Sequence, residues 1–385
     1  MLVEEVGIMS FQIISINEHV IEAPDVWTAR MSKAQWGDRI PHIRTKDDGT
    51  EVWMIDGVEV PLVGSGSAAA CMPDRSDEPT KWRDVPSVVT NVTERAASME
   101  AQGVGYAVLY PSVAGIGGET FGRIEDPELE LACVQAYNDW LIDEWGANPK
   151  FIPQCILPLS SFEAMRSELI RSVEKGHRGV ILPGIPDQVR KGAPHINDAG
   201  YDAVWKACEE LGVPVCFHSG IVPSMELTPY SGYAPAVAAA FRAIARPVTG
   251  AAMLSNFVIS KVFERFPGLK VVFAESAMGL TSFTIEGGDY GFGMWRLDER
   301  YSYKAKPSDL FRSNCFVVGW YDRVNLKHVA EHLGPDSLLW TTKFPLGTSS
   351  WPDVQKQVES SFAEISESDR ARVLWSNAAQ LYKIN

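Results

Sequence analysis

Two histidines, His19 and His218, stand directly after apolar runs, Ile13-Ile14-Ser15-Ile16-Asn17-Glu18 and Val213-Pro214-Val215-Cys216-Phe217. Imidazole is the side chain best suited to move protons near neutral pH, so a histidine at a strand end is a candidate acid or base. Glu275 follows Val271-Val272-Phe273-Ala274, and Lys343 follows Leu338-Leu339-Trp340-Thr341-Thr342. A carboxylate and an ammonium at such places are each costly to bury alone, and the simplest solution is that they face each other. Asn17 completes the set. The bland alternatives are a backbone-bonded loop His19, a satisfied core His218 and a purely structural ion pair.

These residues need elements that bring them together, and the chain supplies a rhythm. Strand-like runs occur at Gln12–Ile16, Gly105–Tyr110, Phe151–Leu157, Gly179–Leu182, Val213–Phe217, Lys270–Ala274, Cys315–Val318 and Ser337–Thr342. Helical spacing lies between them over Val85–Gln102, Glu128–Trp145, Phe162–Lys175, Ala199–Leu211, Ser255–Phe266, Arg323–Leu333 and Asp353–Ile365, with Gly103, Gly176, Gly212 and Gly334 as stops. Eight such alternations predict a closed (β/α)8 TIM barrel over 1–385, with an eight-stranded open sheet as the rival. In a barrel the residues past the C-terminal ends of the strands share one mouth, which collects His19, His218, Glu275 and Lys343.

Two segments break the rhythm. Residues 20–83, with Trp27, Trp36, Trp53 and Trp82, form an insertion after strand one placed to cap the mouth or meet a second subunit. Residues 219–253, with Tyr230 and Tyr233, form another after strand five. Trp27, Tyr230, Tyr233 and Trp320, with Ser219 and Ser276 beside His218 and Glu275, are the expected substrate-binding residues, and they suit a flat or cyclic small molecule. Gly115-Ile116-Gly117-Gly118 lacks the spacing of a phosphate or dinucleotide loop.

A net charge of −14, spread along the chain, argues against nucleic acid or an anionic membrane surface as partner. Six cysteines without CxxC spacing read as free thiols, and the acidic start MLVEEVGIMSFQIISI reads as cytoplasmic rather than as a targeting segment. No stretch has the roughly 18 uncharged apolar residues of a membrane span.

The run Ser15-Ile16-Asn17-Glu18-His19-Val20-Ile21-Glu22-Ala23-Pro24-Asp25-Val26-Trp27 resembles the opening of the amidohydrolase-2 family, the decarboxylase-like branch of the amidohydrolase superfamily. Tyr137-Asn138-Asp139-Trp140, Phe217-His218, the run from Phe266-Pro267-Gly268 to Ala274-Glu275-Ser276, Trp340-Thr341-Thr342-Lys343-Phe344-Pro345, Ser350-Trp351-Pro352 and Asn377-Ala378-Ala379-Gln380-Leu381-Tyr382 follow in the family's order.

The resemblance implies a barrel holding one divalent metal, zinc or manganese. Its ligands would be an acidic residue and a His after strand one, a His after strand five and an Asp after strand eight. The implied chemistry is decarboxylation of aromatic or enoic acids, or hydrolysis. The family's habit of forming dimers or larger assemblies implies a homo-oligomer. His19 and His218 match, as does Glu275 after strand six, but Asn17 and Lys343 stand where the two acidic ligands belong.

Each departure removes an anionic oxygen, and an ammonium repels a divalent ion. The expectation is therefore a metal-independent hydrolase or carbon–carbon lyase without cofactor, in which the Lys343 ammonium takes roughly the metal's place. Glu275 would be its counter-charge, and Asn17, His19 and His218 neutral walls. The alternatives are a metal held by His19, His218 and Glu275, a Schiff base on Lys343, and a non-catalytic binding protein.

Overall fold

In the computed structural model the described residues are all except 1–11, 65–67, 76, 219–235, 238–239, 241–243, 246, 276–277 and 385. The wall strands are β1 (Ile13–His19), β5 (Val104–Tyr110), β6 (Phe151–Ile152), β7 (Cys155–Ile156), β8 (Val180–Ile181), β9 (Val215–His218), β10 (Val271–Ala274), β11 (Cys315–Gly319) and β12 (Leu338–Trp340). All pair in parallel, β1 with β5 with β6, and β7 through β12 in sequence order. The predicted third strand is real but divided: Pro153, which has no N–H to give a ladder, falls between β6 and β7. The ring is closed at β12 and β1, where His19 N–H donates to Phe344 C=O at 2.9 Å. The fold is the (β/α)8 barrel, not the open sheet.

Helices Val92–Ala101, Pro127–Trp140, Phe162–Lys175, Asp202–Leu211, Val248–Ile259, Met278–Trp295, Val324–His332 and Val354–Ser361 follow the eight wall strands. Asn91, Asp126 and Ser161 cap three of them through side-chain oxygens that accept from backbone N–H groups two or three residues on. Gly176 and Gly212 end two helices in the left-handed conformation.

Several helix expectations need correction. Val85–Gln102 is a 3-10 turn at Ser87–Val89 followed, after the extended cap residue Asn91, by helix Val92–Ala101, and Asp353–Ile365 is an α-helix only over Val354–Ser361. Ser255–Phe266 is not one helix, since Lys261 at φ 60° separates Val248–Ile259 from Val262–Arg265. Helix Met278–Trp295 was not expected, because its glycines at 279, 287, 288, 291 and 293 argue against a helix. Close packing explains part of it: a Cβ on Gly279 would meet Asn325 at 2.9 Å, and one on Gly288 would meet Pro307 at 3.1 Å.

The segment 20–83 carries an antiparallel sheet, β2 (His42–Thr45), β3 (Glu51–Ile55) and β4 (Val58–Pro61). Its far end packs on the loop after β12: Ala70 N–H donates to Pro345 C=O at 2.9 Å, and Arg75 to Ser349 C=O at 2.7 Å. Among the described residues no helix is long and apolar enough to cross a membrane.

Candidate active site

Alternation along β1 puts Asn17 and His19 on one face and Glu18 on the other. Glu18 turns away, into a buried ion pair with Arg95 at 2.6 Å, so its carboxylate does not replace the acid missing at position 17. Asn17, His19, His218 from the end of β9, Glu275 just past β10 and Lys343 past β12 come together in one buried group.

A continuous chain of polar contacts links four of them. Asn17 Nδ2 lies 3.0 Å from His218 Nε2, His218 Nδ1 lies 3.3 Å from Glu275 Oε2, and Glu275 Oε1 pairs directly with Lys343 Nζ. Lys343 Nζ also donates to Thr348 Oγ1 at 3.1 Å and sits 4.3 Å from the centre of the Trp320 ring. A carboxylate only accepts, so His218 carries its proton on Nδ1 and offers the Nε2 lone pair to the Asn17 amide. The contacts of Lys343 are those of an ammonium, which works against a Schiff-base nucleophile.

His19 is held differently. Its Nδ1 donates to Pro111 C=O at 3.1 Å. Burial, reinforced by His218 beside it, lowers its pKa from 6.5 to about 3, so the ring is neutral. Two buried acceptors then have no hydrogen-bond partner among the described residues, His19 Nε2 and Asn17 Oδ1. The rings of His19 and His218 meet edge-on at 5.4 Å, and Tyr110 packs against both at 5.9 and 5.6 Å.

Glu275 and Lys343 both have left-handed backbone, with φ of 58° and 61°. Each such non-glycine residue costs of order 1–3 kcal/mol and persists only where its surroundings enforce it. The strain falls on both partners of the Glu275–Lys343 ion pair.

The residues present do not fit a divalent metal. Such an ion wants several anionic or unencumbered donors. Here His218 Nε2 is engaged by Asn17, Glu275 is neutralised by Lys343, and the remaining donors, His19 Nε2 and Asn17 Oδ1, are uncharged. Among the described residues no three His, Cys, Asp or Glu side chains are placed to hold a metal.

Trp320 lies at the site, over Lys343. Trp27 does not. It is fully buried, gives its indole N–H to Cys133 C=O on helix Pro127–Trp140 at 3.1 Å and packs on Trp53 and Phe121, so it ties the 20–83 segment to the layer outside the wall and touches none of the five clustered residues in these contacts. Ser219, Tyr230, Tyr233 and Ser276 lie outside the described residues. The sequence reading passed over Tyr110, Thr341 and Thr348, because an aromatic or threonine in or beside a strand looks like ordinary sheet composition. It also gave no role to Asp322, past β11, whose carboxyl burial pushes up to about 6. A cavity of about 410 Å³ with Lys270, Arg312 and Lys383 in its lining touches none of the five clustered residues.

The amidohydrolase family profile matches residues 70–384. A gamma-resorcylate decarboxylase of Polaromonas sp. (strain JS666 / ATCC BAA-500) is 24% identical over 337 residues, covering 83% of this chain and 94% of that protein. Among solved structures, an amidohydrolase of Mycobacterium avium subsp. paratuberculosis K-10 superposes with a TM-score of 0.74 at 21% identity, covering 97% of this chain and 100% of that one. A dihydroxybenzoic acid decarboxylase of Polaromonas sp. JS666, solved with manganese and the inhibitor 2-nitroresorcinol, gives 0.66 at 19% identity, covering 97% of both chains.

Proposed function

The chain belongs to the amidohydrolase family, and from that premise we propose that it is a decarboxylase of small aromatic carboxylic acids that works without a metal. The observation that carries this reading is the chain Asn17–His218–Glu275–Lys343, with two unpartnered acceptors beside it. An acid with a hydroxyl next to its carboxylate is complementary to that set. Its carboxylate takes the Lys343 ammonium, its hydroxyl donates to His19 Nε2 or Asn17 Oδ1, and its ring lies among Trp320, Tyr110 and the imidazoles. Gamma-resorcylate, named for the Polaromonas relative, has this pattern.

In the reaction the ring carbon bearing the carboxylate takes a proton, the bond to that carboxylate breaks, and its electron pair returns to the ring as carbon dioxide leaves. With substrate bound the Asn17 amide turns its oxygen to His218 Nε2, so that the ring can take a second proton there, deliver it as imidazolium and be reprotonated from solvent. Glu275 orients His218 through Nδ1 and balances its charge, as the carboxylate of a catalytic triad does. Lys343 holds the carboxylate and favours the electron-rich ring while carbon dioxide departs. Ser219, Ser276, Tyr230 and Tyr233 stand as further substrate contacts in this proposal.

The test is incubation of purified, chelator-dialysed protein with 2,6-dihydroxybenzoate and related hydroxybenzoates, following carbon dioxide and the matching phenol. Stoichiometric formation of both, abolished in His218→Ala, is the expected result. No turnover of any hydroxybenzoate, with or without added metal, would overturn it. A second reading, a manganese-dependent decarboxylase, rests on the manganese bound in the Polaromonas relative. Turnover that appears only on adding manganese selects it.

The assembly proposed is a homo-oligomer, supported by Phe283, Tyr290, Met294 and Trp295, exposed on helix Met278–Trp295. Light scattering at working concentration tests it, and a monomer contradicts it.

A further inference from the structure

Among the described residues, β12 and β1 are the neighbouring wall strands with no backbone ladder between them. Hydroxyl groups make most of the junction. Thr341 Oγ1 accepts from Asn17 N–H at 3.1 Å and from Lys343 N–H at 3.0 Å. Its single proton lies between Asn17 C=O at 3.1 Å and Ser15 Oγ at 3.0 Å. A hydroxyl has two lone pairs and one proton, so its capacity is filled. Ser15 Oγ accepts from Thr342 N–H at 2.9 Å and donates to Glu18 at 2.5 Å, and Thr342 Oγ1 also donates to Glu18.

We propose that Thr341 is a positioning residue whose hydroxyl sets the spacing of Asn17 and Lys343, and thereby the geometry of His218 and Glu275 between them. The side-chain series Asn17–His218–Glu275–Lys343 begins and ends on residues whose backbone N–H groups share this one oxygen, so the contacts close into a ring through Thr341. Thr342, Glu18 and the His19-to-Phe344 bond also hold β12 to β1, but through the neighbours of Asn17 and Lys343, whereas the Thr341 hydroxyl bonds the backbone N–H groups of both residues directly. Thr341 touches neither substrate nor the reacting atoms. It acts by fixing which donor meets His218 Nε2 and where the ammonium stands. The effect on turnover rests on the decarboxylase reading, while the geometric part does not.

The test compares Thr341→Val, which keeps the shape and loses the hydroxyl, with Thr341→Ser, which keeps the hydroxyl. The first readout is the ring-nitrogen NMR spectrum of His218 in ligand-free protein, assigned by its loss in His218→Ala. In the natural protein and in Thr341→Ser the spectrum is expected to show one tautomer, protonated at Nδ1. In Thr341→Val the two nitrogens move towards averaged shifts. The second readout is turnover of 2,6-dihydroxybenzoate: kcat falls about tenfold or more in Thr341→Val while KM stays within about twofold, and Thr341→Ser recovers most of the loss. A Thr341→Val protein with the natural His218 spectrum overturns the proposal. The expected spectra without turnover in any form leave the positioning role standing and count against the decarboxylase reading instead. Should Thr341→Val not fold, hydrogen exchange on the natural protein decides: the amides of Asn17 and Lys343 are expected to open with one shared rate, and two independent rates overturn the proposal.

Discussion

Two buried glutamate–cation pairs lie on either side of β1 and β12, and they are built for different ends. In the first, Glu18 receives Arg95, Ser15 and Thr342, and the Arg95 guanidinium lies 3.9 Å from the centre of the Phe344 ring. Its side chains are 2% and 1% exposed, and neither partner has left-handed backbone. In the second, Glu275 is shared between Lys343 and His218, both partners of the ion pair are held at positive φ, and acceptors without partners stand beside it. A buried ion pair alone therefore marks no site. Coupling to an imidazole, backbone strain and open acceptors at the strand ends distinguish the second.

The sharpest way to break that contrast is to remove one cation from each pair. Arg95→Met strands the Glu18 charge inside the wall, and a loss of about 3–5 kcal/mol in folding free energy is expected by urea denaturation. The protein that remains folded should turn over within a few-fold of normal. Lys343→Met should do the reverse. Turnover is expected to fall about 10²–10³-fold, the scale for removing a key electrostatic stabiliser, with less loss of stability because His218 still pairs with Glu275. If Lys343→Met costs stability and spares turnover, the assignment of the two pairs is wrong.

Acid sharpens the comparison further. His19, near 3, and His177, lowered by burial from 6.5 to about 4, both bind protons less readily folded than unfolded. Their contribution to stability is therefore complete above 6.5 and declines as pH falls, through about 4 for His177 and about 3 for His19. Denaturation across that range should show stability falling with acid, and His19→Asn should flatten the slope. An unchanged slope would mean that His19 is not buried neutral. Trp320→Leu, which removes the ring facing Lys343, carries the smallest expected effect, about 0.5–2 kcal/mol in transition-state stabilisation read from kcat/KM.

The sequence carried much of this, for physical reasons that can be named. β-branched apolar runs ending in His218, Glu275 and the residues before Lys343 locate strands and mouth together, because a strand must bury its apolar residues and leave its polar end in the shared opening. Glu275 and Lys343 could be paired on charge alone. Trp27 was misplaced because position after strand one does not reveal where an indole points, and only the packing of Trp53 and Phe121 settles that. Helix Met278–Trp295 was hidden by its glycines, and β2 to β4 by their polar, half-exposed residues. Thr341 was illegible, since the role proposed for it lies in the Asn17 N–H and C=O groups, 324 residues away in the chain, that meet its hydroxyl only in the closed barrel.

Whether Lys343 stands in for a metal is decided by elemental analysis of the purified, active protein, before and after dialysis against a strong chelator. With the ammonium in that role, zinc and manganese should be far below one per chain, and turnover should survive the chelator undiminished. One equivalent of either metal, removed by the chelator together with activity and restored on adding it back, would contradict it.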